Sequence, residues 1–212
     1  MIKAILFDRD GVILDSEHTN IAAATKTFKE LGIEITKEDV QQIIAKHPKD
    51  YLTYFHSKYK FSEEDFIKKG MKNYLDMLEH VKFFEKTVEL VKKLKQEGYK
   101  TGLVTSSDRN NTLEIIEKAG LEKYFETIVT LDEVNNRKPH PEPYFLAAKN
   151  LNVKPEECLV IEDSQQGVES AKAAGMKCIA APTEHTEHQD FSKADKKVKK
   201  HELTLKLIKQ FE

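Results

Sequence analysis

Two aspartates one residue apart, Asp8 and Asp10, end a short apolar run and are followed at once by Gly11. Alternate residues leaving a strand can both reach the space above its end. One carboxylate can then attack phosphorus while the other handles the proton of the leaving group. Gly11 lets the chain turn away sharply. At average composition, Asp-x-Asp-Gly arises by chance roughly once in a few thousand positions, so the spacing carries information. Three further groups could join this pair: the hydroxyls of Thr105, Ser106 and Ser107; Lys138, just before Pro139; and the acids Glu162 and Asp163. Together they would suit a cation and a phosphate. Carboxylates bind hard Mg²⁺, whereas hydroxyls, backbone N–H groups and lysine bind the anion.

Such a convergence needs a scaffold. Residues 2–7 are apolar apart from Lys3, the pattern of a strand buried on both faces of a parallel sheet. Similar runs occur at 99–104, 125–129, 158–161 and 177–180. Helical periodicity separates them. In 85–97, Val88, Val91 and Leu94 recur three apart with Leu90 on the same face; 110–119 carries Leu113, Ile115 and Ile116; 143–151 and 165–174 follow. The alternation predicts an α/β core, a Rossmann-like doubly wound parallel sheet. Ligands of such sheets bind outside the carboxyl ends of the strands, where these candidate groups fall, Lys138 at some distance beyond its strand.

The alternation is interrupted between 16 and 82. Four helical stretches are expected there, 17–31, 37–46, 49–58 and 63–80, with Thr36 and Ser62 as N-caps and no strand. The expected organisation is a core formed by 1–15 and 83–212 with an inserted all-helical cap, 16–82, and linkers at 13–15 and 81–84. The aromatic residues of 51–59 read as the interior of that block rather than as a stacking platform.

Composition narrows the possibilities. The chain has 212 residues, 39% of them apolar and 33% charged, enough for one generous domain or a core with a modest inserted module. With 34 basic and 36 acidic side chains the net charge is −2, which argues against a dedicated nucleic-acid-binding face. The lysine-rich stretch 193–200 reads as a solvated edge strand guarded by charge. Cys158 and Cys178 sit in apolar runs and are expected as buried free thiols of a cytoplasmic protein. No apolar run approaches the ~18 residues that would span a membrane, and no signal peptide is expected before the first strand. His185 and His188, with Glu184 and Glu187, read as a polar loop, because three-residue spacing converges on a metal only in a helix. A monomer is the default expectation.

The sequence resembles the haloacid dehalogenase superfamily, in the branch with a small helical cap that includes sugar-phosphate and phosphoglycolate phosphatases and β-phosphoglucomutase. Four motifs in order carry the resemblance, which extends over essentially the whole chain. They are Phe7 to Val12 with Asp15, Ser16 and Glu17; Leu103 to Ser107; Lys138 to Pro143; and Val160 to Ser164 with Gly167. The resemblance implies that Asp8 forms an aspartyl-phosphate and that Asp10 protonates the leaving oxygen and then activates the acceptor. It also implies that Thr105 and the Ser106 amide hold phosphoryl oxygens and that Lys138 neutralises charge. Mg²⁺ would be bound by Asp8, Asp163, the Asp10 carbonyl and Glu162, the last directly or through water.

Several positions depart from the family pattern. Arg9 stands where an apolar residue is common, and its side chain is expected to point away from the two aspartates. Asn20 replaces a histidine, Phe84 and Glu85 replace Pro-Gly, and a Gly-x-x-Arg grip is missing from the cap. The stretch Ala45 to Lys49 is nearest to that grip, and Lys49 and Lys72 are the first candidates for cap contacts with substrate. The expected activity is Mg²⁺-dependent hydrolysis of a small phosphorylated metabolite, with a β-phosphoglucomutase-type transfer as the alternative. Asp10 counts against 2-haloacid dehalogenation, and intact Asp8, Asp10, Lys138 and Asp163 count against a non-catalytic binding protein.

Overall fold

The computed structural model describes residues 1–44, 46, 48–77 and 81–212. The chain divides into two compact units, residues 1–14 with 83–212, and residues 15–82.

The first unit is built on strands β1 (Ala4–Phe7), β4 (Lys100–Val104), β5 (Thr127–Val129), β6 (Cys158–Glu162), β7 (Lys177–Ala180) and β8 (Lys196–Lys197). Among the described residues these form one six-stranded sheet in the order β5-β4-β1-β6-β7-β8, parallel throughout. This is the Rossmann-like α/β fold that the apolar runs predict. Helices α5 (Glu85–Gln96), α6 (Arg109–Lys118), α7 (Glu142–Asn150) and α8 (Gln165–Ala173) connect the strands, and a short α9 (Leu205–Ile208) ends the unit.

The all-apolar strands are explained by packing on both faces. Ile5, Phe7, Leu159 and Ile161 pack with Leu90, Val91 and Leu94 of α5 and Ile116 of α6. Their neighbours Ala4, Leu6, Cys158 and Val160 pack with Tyr144 and Ala147 of α7 and Val168 and Ala171 of α8. Period-two side-chain alternation delivers successive residues to opposite layers, so neither face can be polar. Cys158 and Cys178 are buried and unbridged, as expected. The lysine-rich stretch supplies β8, whose two exposed lysines lie at the sheet edge, a placement that discourages pairing with another chain.

Register sets the level at which each strand delivers its last residue. Phe7 is opposite Leu103 on one side and Ile161 on the other. The Asp8 N–H donates to Ile161 O at 3.0 Å and the Thr105 N–H to Val129 O at 2.9 Å, extending the ladders past the strand ends. Asp8, Thr105 and Glu162 therefore leave the sheet at nearly the same height.

The second unit contains α1 (Glu17–Glu30), α2 (Lys37–Ile43), α3 (Pro48–Lys58) and α4 (Glu63–Met77). Its interior is Phe28, Ile43, Tyr51, Leu52, Phe55 and Phe66, with the Phe28 ring 4.3 Å from Phe55 and 4.5 Å from Phe66. Thr36 caps α2 in a reciprocal box with Asp39, and the Ser62 hydroxyl accepts from the Asp65 N–H at 3.2 Å. Asp39 is fully buried. Its carboxylate accepts hydrogen bonds from Tyr54 at 2.8 Å, Lys58 at 2.5 Å, Tyr59 at 2.9 Å and the Thr36 N–H at 2.9 Å. Burial opposes its ionisation, but these donors outweigh that and hold it well below the usual carboxylate range.

One expected boundary differs: the helix read over 37–46 ends at Ile43, with Ala45 outside the described residues. Of the stretch read over 63–80, the described part Glu63–Met77 is helical and residues 78–80 lie outside the described residues. The sequence reading missed the two-residue strands β2 (Leu14–Asp15) and β3 (Lys82–Phe83), which form a separate small sheet and are too short to carry a period. Residues 184–188 form a turn rather than a helix, in keeping with the polar loop expected around His185 and His188. Among the described residues no helix is long and apolar enough to cross a membrane.

Candidate active site

The carboxyl ends of β1, β4 and β6 supply the site. Lys138 arrives from the loop between β5 and α7. That loop is closed by the Glu142 carboxylate, which accepts from the backbone N–H groups of Asn135 at 2.8 Å and Asn136 at 2.9 Å. It is also anchored to α8, where the Ser170 hydroxyl donates to His140 O at 2.6 Å. Lys138 Nζ then donates to Asp8 Oδ1 at 2.5 Å, Glu162 Oε1 at 2.6 Å and Val104 O at 3.1 Å. One ammonium thus ties together the ends of the three central strands.

Glu162 is fully buried and its oxygens are well occupied. Oε1 accepts from Lys138 and from the Tyr144 hydroxyl at 2.8 Å; Oε2 accepts from the N–H groups of Asp163 at 3.0 Å and Ser164 at 3.2 Å and from the Ser164 hydroxyl at 3.0 Å. Gly167 makes room for it: a Cβ there would lie 1.8 Å from Glu162 Oε1. Gly11 is required twice over. Its φ is +72°, and a Cβ would lie 2.0 Å from Asp163 Oδ2. Thr186 also donates to that oxygen, at 3.4 Å.

The carboxylates of Asp8, Glu162 and Asp163 are all buried and offer oxygen atoms within 4.8 Å of one another. Three clustered acids against one ammonium, which contacts two of them, leave an excess of negative charge, and hard oxygen donors at this spacing fit a divalent cation of the Mg²⁺ or Ca²⁺ kind. The electrostatics point the same way. Burial pushes Asp8 up to about 7; Lys138 resists the rise, while Glu162 and Asp10 add to it. Burial would lower Lys138, but the charges of Asp8 and Glu162 reverse this and hold it above its ordinary value. Glu162 is likewise kept below its ordinary value despite burial, by Lys138, Tyr144 and the Ser164 N–H.

Asp10 stands apart from this cluster. Its Oδ2 accepts from Arg9 Nε at 3.0 Å, Ser107 Oγ at 3.2 Å and Thr105 Oγ1 at 3.5 Å, and its Oδ1 from Arg9 Nη2 at 3.2 Å. The expectation that Arg9 points away from both aspartates is therefore wrong. The side chain is long enough to fold back along the turn after β1, and the adjacent carboxylate pairs with the charge that burial would otherwise leave exposed to a low dielectric. Ser106 follows Thr105 in the loop leading to α6, half-buried. Lys49, on α3, and Lys72, on α4, are exposed in the helical unit. Ser107, expected among the hydroxyls that meet the anion, instead bonds Asp10 and Arg9. No role was expected for Tyr144 or Thr186, which carry no sequence signal beyond a core aromatic and a loop hydroxyl.

The fold and these strand-end groups define a class. Residues 5–181 match the haloacid dehalogenase-like hydrolases, and the chain belongs to that family of enzymes. Among its relatives, the phosphorylated carbohydrates phosphatase of Thermotoga maritima is 33% identical over 184 residues, covering 84% of each chain. Two solved structures are similar over nearly their full lengths. One is a variant of CbbY from Rhodobacter sphaeroides in complex with xylulose-(1,5)bisphosphate, at 26% identity and TM-score 0.85, covering 96% of each chain. The other is β-phosphoglucomutase from Clostridium difficile, at 27% identity and TM-score 0.83, covering 100% of this chain and 97% of that one.

Proposed function

We propose that this chain is a Mg²⁺-dependent phosphatase of small phosphorylated metabolites, working through an aspartyl-phosphate on Asp8. The observation that carries the reading is Lys138 joining Asp8 to Glu162 beside Asp163, with Asp10 and Thr105 at the same edge of the sheet.

An Asp8 oxygen attacks phosphorus, the bond from phosphorus to the leaving oxygen breaks, and Asp10 gives its proton to that oxygen. Asp10, now ionised, takes a proton from the water that attacks the aspartyl-phosphate, releasing phosphate and restoring Asp8. Lys138, held in place by Glu162 and Val104 O, offsets the charge of carboxylate and phosphate as they approach. The Thr105 hydroxyl and the Ser106 amide hold phosphoryl oxygens. Asp8, Asp163 and the Asp10 carbonyl would hold Mg²⁺, which would screen the two anions from each other. The occupied oxygens of Glu162 favour contact with the ion through water and a main duty as anchor for Lys138. In this reading the helical unit 15–82 serves as a cap that selects substrate, with Lys49 and Lys72 as its first candidate contacts.

The likeness to β-phosphoglucomutase supports a second reading, in which a sugar hydroxyl replaces water as acceptor. The missing Gly-x-x-Arg grip argues against it. The test is phosphate release from a panel of phosphorylated metabolites and p-nitrophenyl phosphate, with Mg²⁺ and with a chelator. Mg²⁺-dependent release is expected from some of them; no release from any would end the phosphatase reading. Efficient conversion of β-glucose 1-phosphate to glucose 6-phosphate would instead favour the mutase.

A further inference from the structure

We infer that Arg9 is a positioning residue for Asp10: its guanidinium fixes the direction of the carboxylate that passes the proton to the leaving group. The inference rests on the phosphatase reading above and adds to it the residue that orients the acid.

The geometry is specific. Arg9 is 1% exposed and is among the largest fully buried side chains of the described residues, so it has no route to substrate. It reaches Asp10 through two nitrogens, Nε to Oδ2 at 3.0 Å and Nη2 to Oδ1 at 3.2 Å. Two donors in one rigid plane set the plane of the carboxylate, which a single donor on a rotatable stem cannot do. The guanidinium is itself fixed. Nη2 donates to Ser107 Oγ at 2.6 Å and Nη1 to Thr112 Oγ1 at 3.0 Å, and the Thr112 hydroxyl in turn donates a hydrogen bond to Asp108 O at 2.8 Å. Asp108 caps α6 by accepting from the Asn111 N–H. A path of hydrogen bonds therefore runs from the start of α6 through Arg9 to Asp10. The Ser107 hydroxyl closes a ring by donating to Asp10 Oδ2, and its N–H donates to Thr105 Oγ1 at 3.1 Å. The Asp10 side chain keeps 28% of its surface open, so the clasp does not close the residue off from solvent.

A purely structural role, sewing the turn after β1 to α6, would use the same contacts, so the test must separate aim from scaffolding. It compares kcat/KM for p-nitrophenyl phosphate, whose leaving group departs without a proton, and for an alkyl phosphate, whose leaving group needs one. Arg9→Leu and Arg9→Lys should lower kcat/KM for the alkyl phosphate about 10- to 100-fold, and for p-nitrophenyl phosphate by less than about 3-fold. Lysine should not rescue the loss, because it keeps the charge and loses the fork. In an Asp10→Asn background, either change should add nothing to the leaving-group dependence. Should Arg9 variants fail to fold, Ser107→Ala removes the hydroxyl shared by Arg9 and Asp10 and should give a smaller loss with the same leaving-group preference. Equal losses for the two substrates, or losses that multiply with that of Asp10→Asn, would overturn the inference and leave the phosphatase reading standing. A wild-type enzyme inactive on both phosphates would remove both.

Discussion

Two buried aspartates in this chain meet opposite fates. Asp39, in the helical unit, is surrounded by donors from Thr36, Tyr54, Lys58 and Tyr59 and is held ionised well below its ordinary range. Asp8, at the end of β1, takes a hydrogen bond from Lys138 but lies beside the carboxylates of Glu162 and Asp163, and burial lifts it to about 7. Both carboxylates are closed off from solvent, but at Asp39 the donors outweigh the cost of burial, whereas at Asp8 burial prevails over Lys138 and Glu162 adds to the rise. An acid saturated with donors serves the fold. An acid left short of positive charge is costly to the fold and receptive to a cation and an electrophile.

The sharpest way to break the contrast is to neutralise Asp8. Asp8→Asn should cut turnover of p-nitrophenyl phosphate by at least about 10⁴-fold. Its melting temperature should stay level or rise, because the change removes a charge that burial opposes. Normal turnover would refute the nucleophile, and a large drop in melting temperature would refute the contrast. Next in size, Lys138→Met leaves Asp8 and Glu162 buried without their ammonium. It should cost about 3–5 kcal/mol in urea unfolding as well as activity. Asp39→Asn should cost about 2–3 kcal/mol of stability while the folded fraction keeps its kcat, since the role assigned to that acid is structural. Retained stability would show that the donor shell contributes little.

A pH series should separate the two acids by sign. Asp39 is depressed in the folded state, so its contribution is present above its ordinary value of 3.8 and is lost as pH falls below it. Asp8 is raised, so its ionisation penalises the metal-free fold increasingly from about pH 4 to 7 and fully above that. Melting temperatures in chelator should therefore decline across that upper window in the wild type more than in Asp8→Asn. Asp39→Asn should flatten only the acid limb. The smallest effects are expected at Lys49 and Lys72, where alanine should raise KM about 2- to 5-fold for the preferred substrate with kcat unchanged. Unaltered KM in both variants would remove them as substrate contacts.

What was legible in the sequence follows from these physical differences. The parallel strands were readable because burial on both faces forces continuous apolar runs such as 158–161. Asp8 and the Glu162–Asp163 pair were readable because they end such runs. Thr105 was readable as a hydroxyl at the end of such a run, whereas Lys138 became readable only within its motif. Arg9 was misread because residue type says little about where a long side chain with four rotatable bonds will fold back. Tyr144 was overlooked because an aromatic on a core-facing helix looks like packing, and its hydroxyl bond to Glu162 leaves no trace in periodicity. The strands β2 and β3 escaped notice because two residues cannot display an alternation.

The central place of β1 has a further consequence. Hydrogen-bonded neighbours flank the strand on both sides, and all four of its residues are buried. Amide protons in such a ladder exchange with solvent mostly when the whole unit opens rather than through edge fraying. The carboxylate proposed as nucleophile is thus fastened to one of the last parts of the sheet to loosen. Heat inactivation should accordingly coincide with global melting, and deuterium uptake at Ile5 to Phe7 should be among the slowest in the chain.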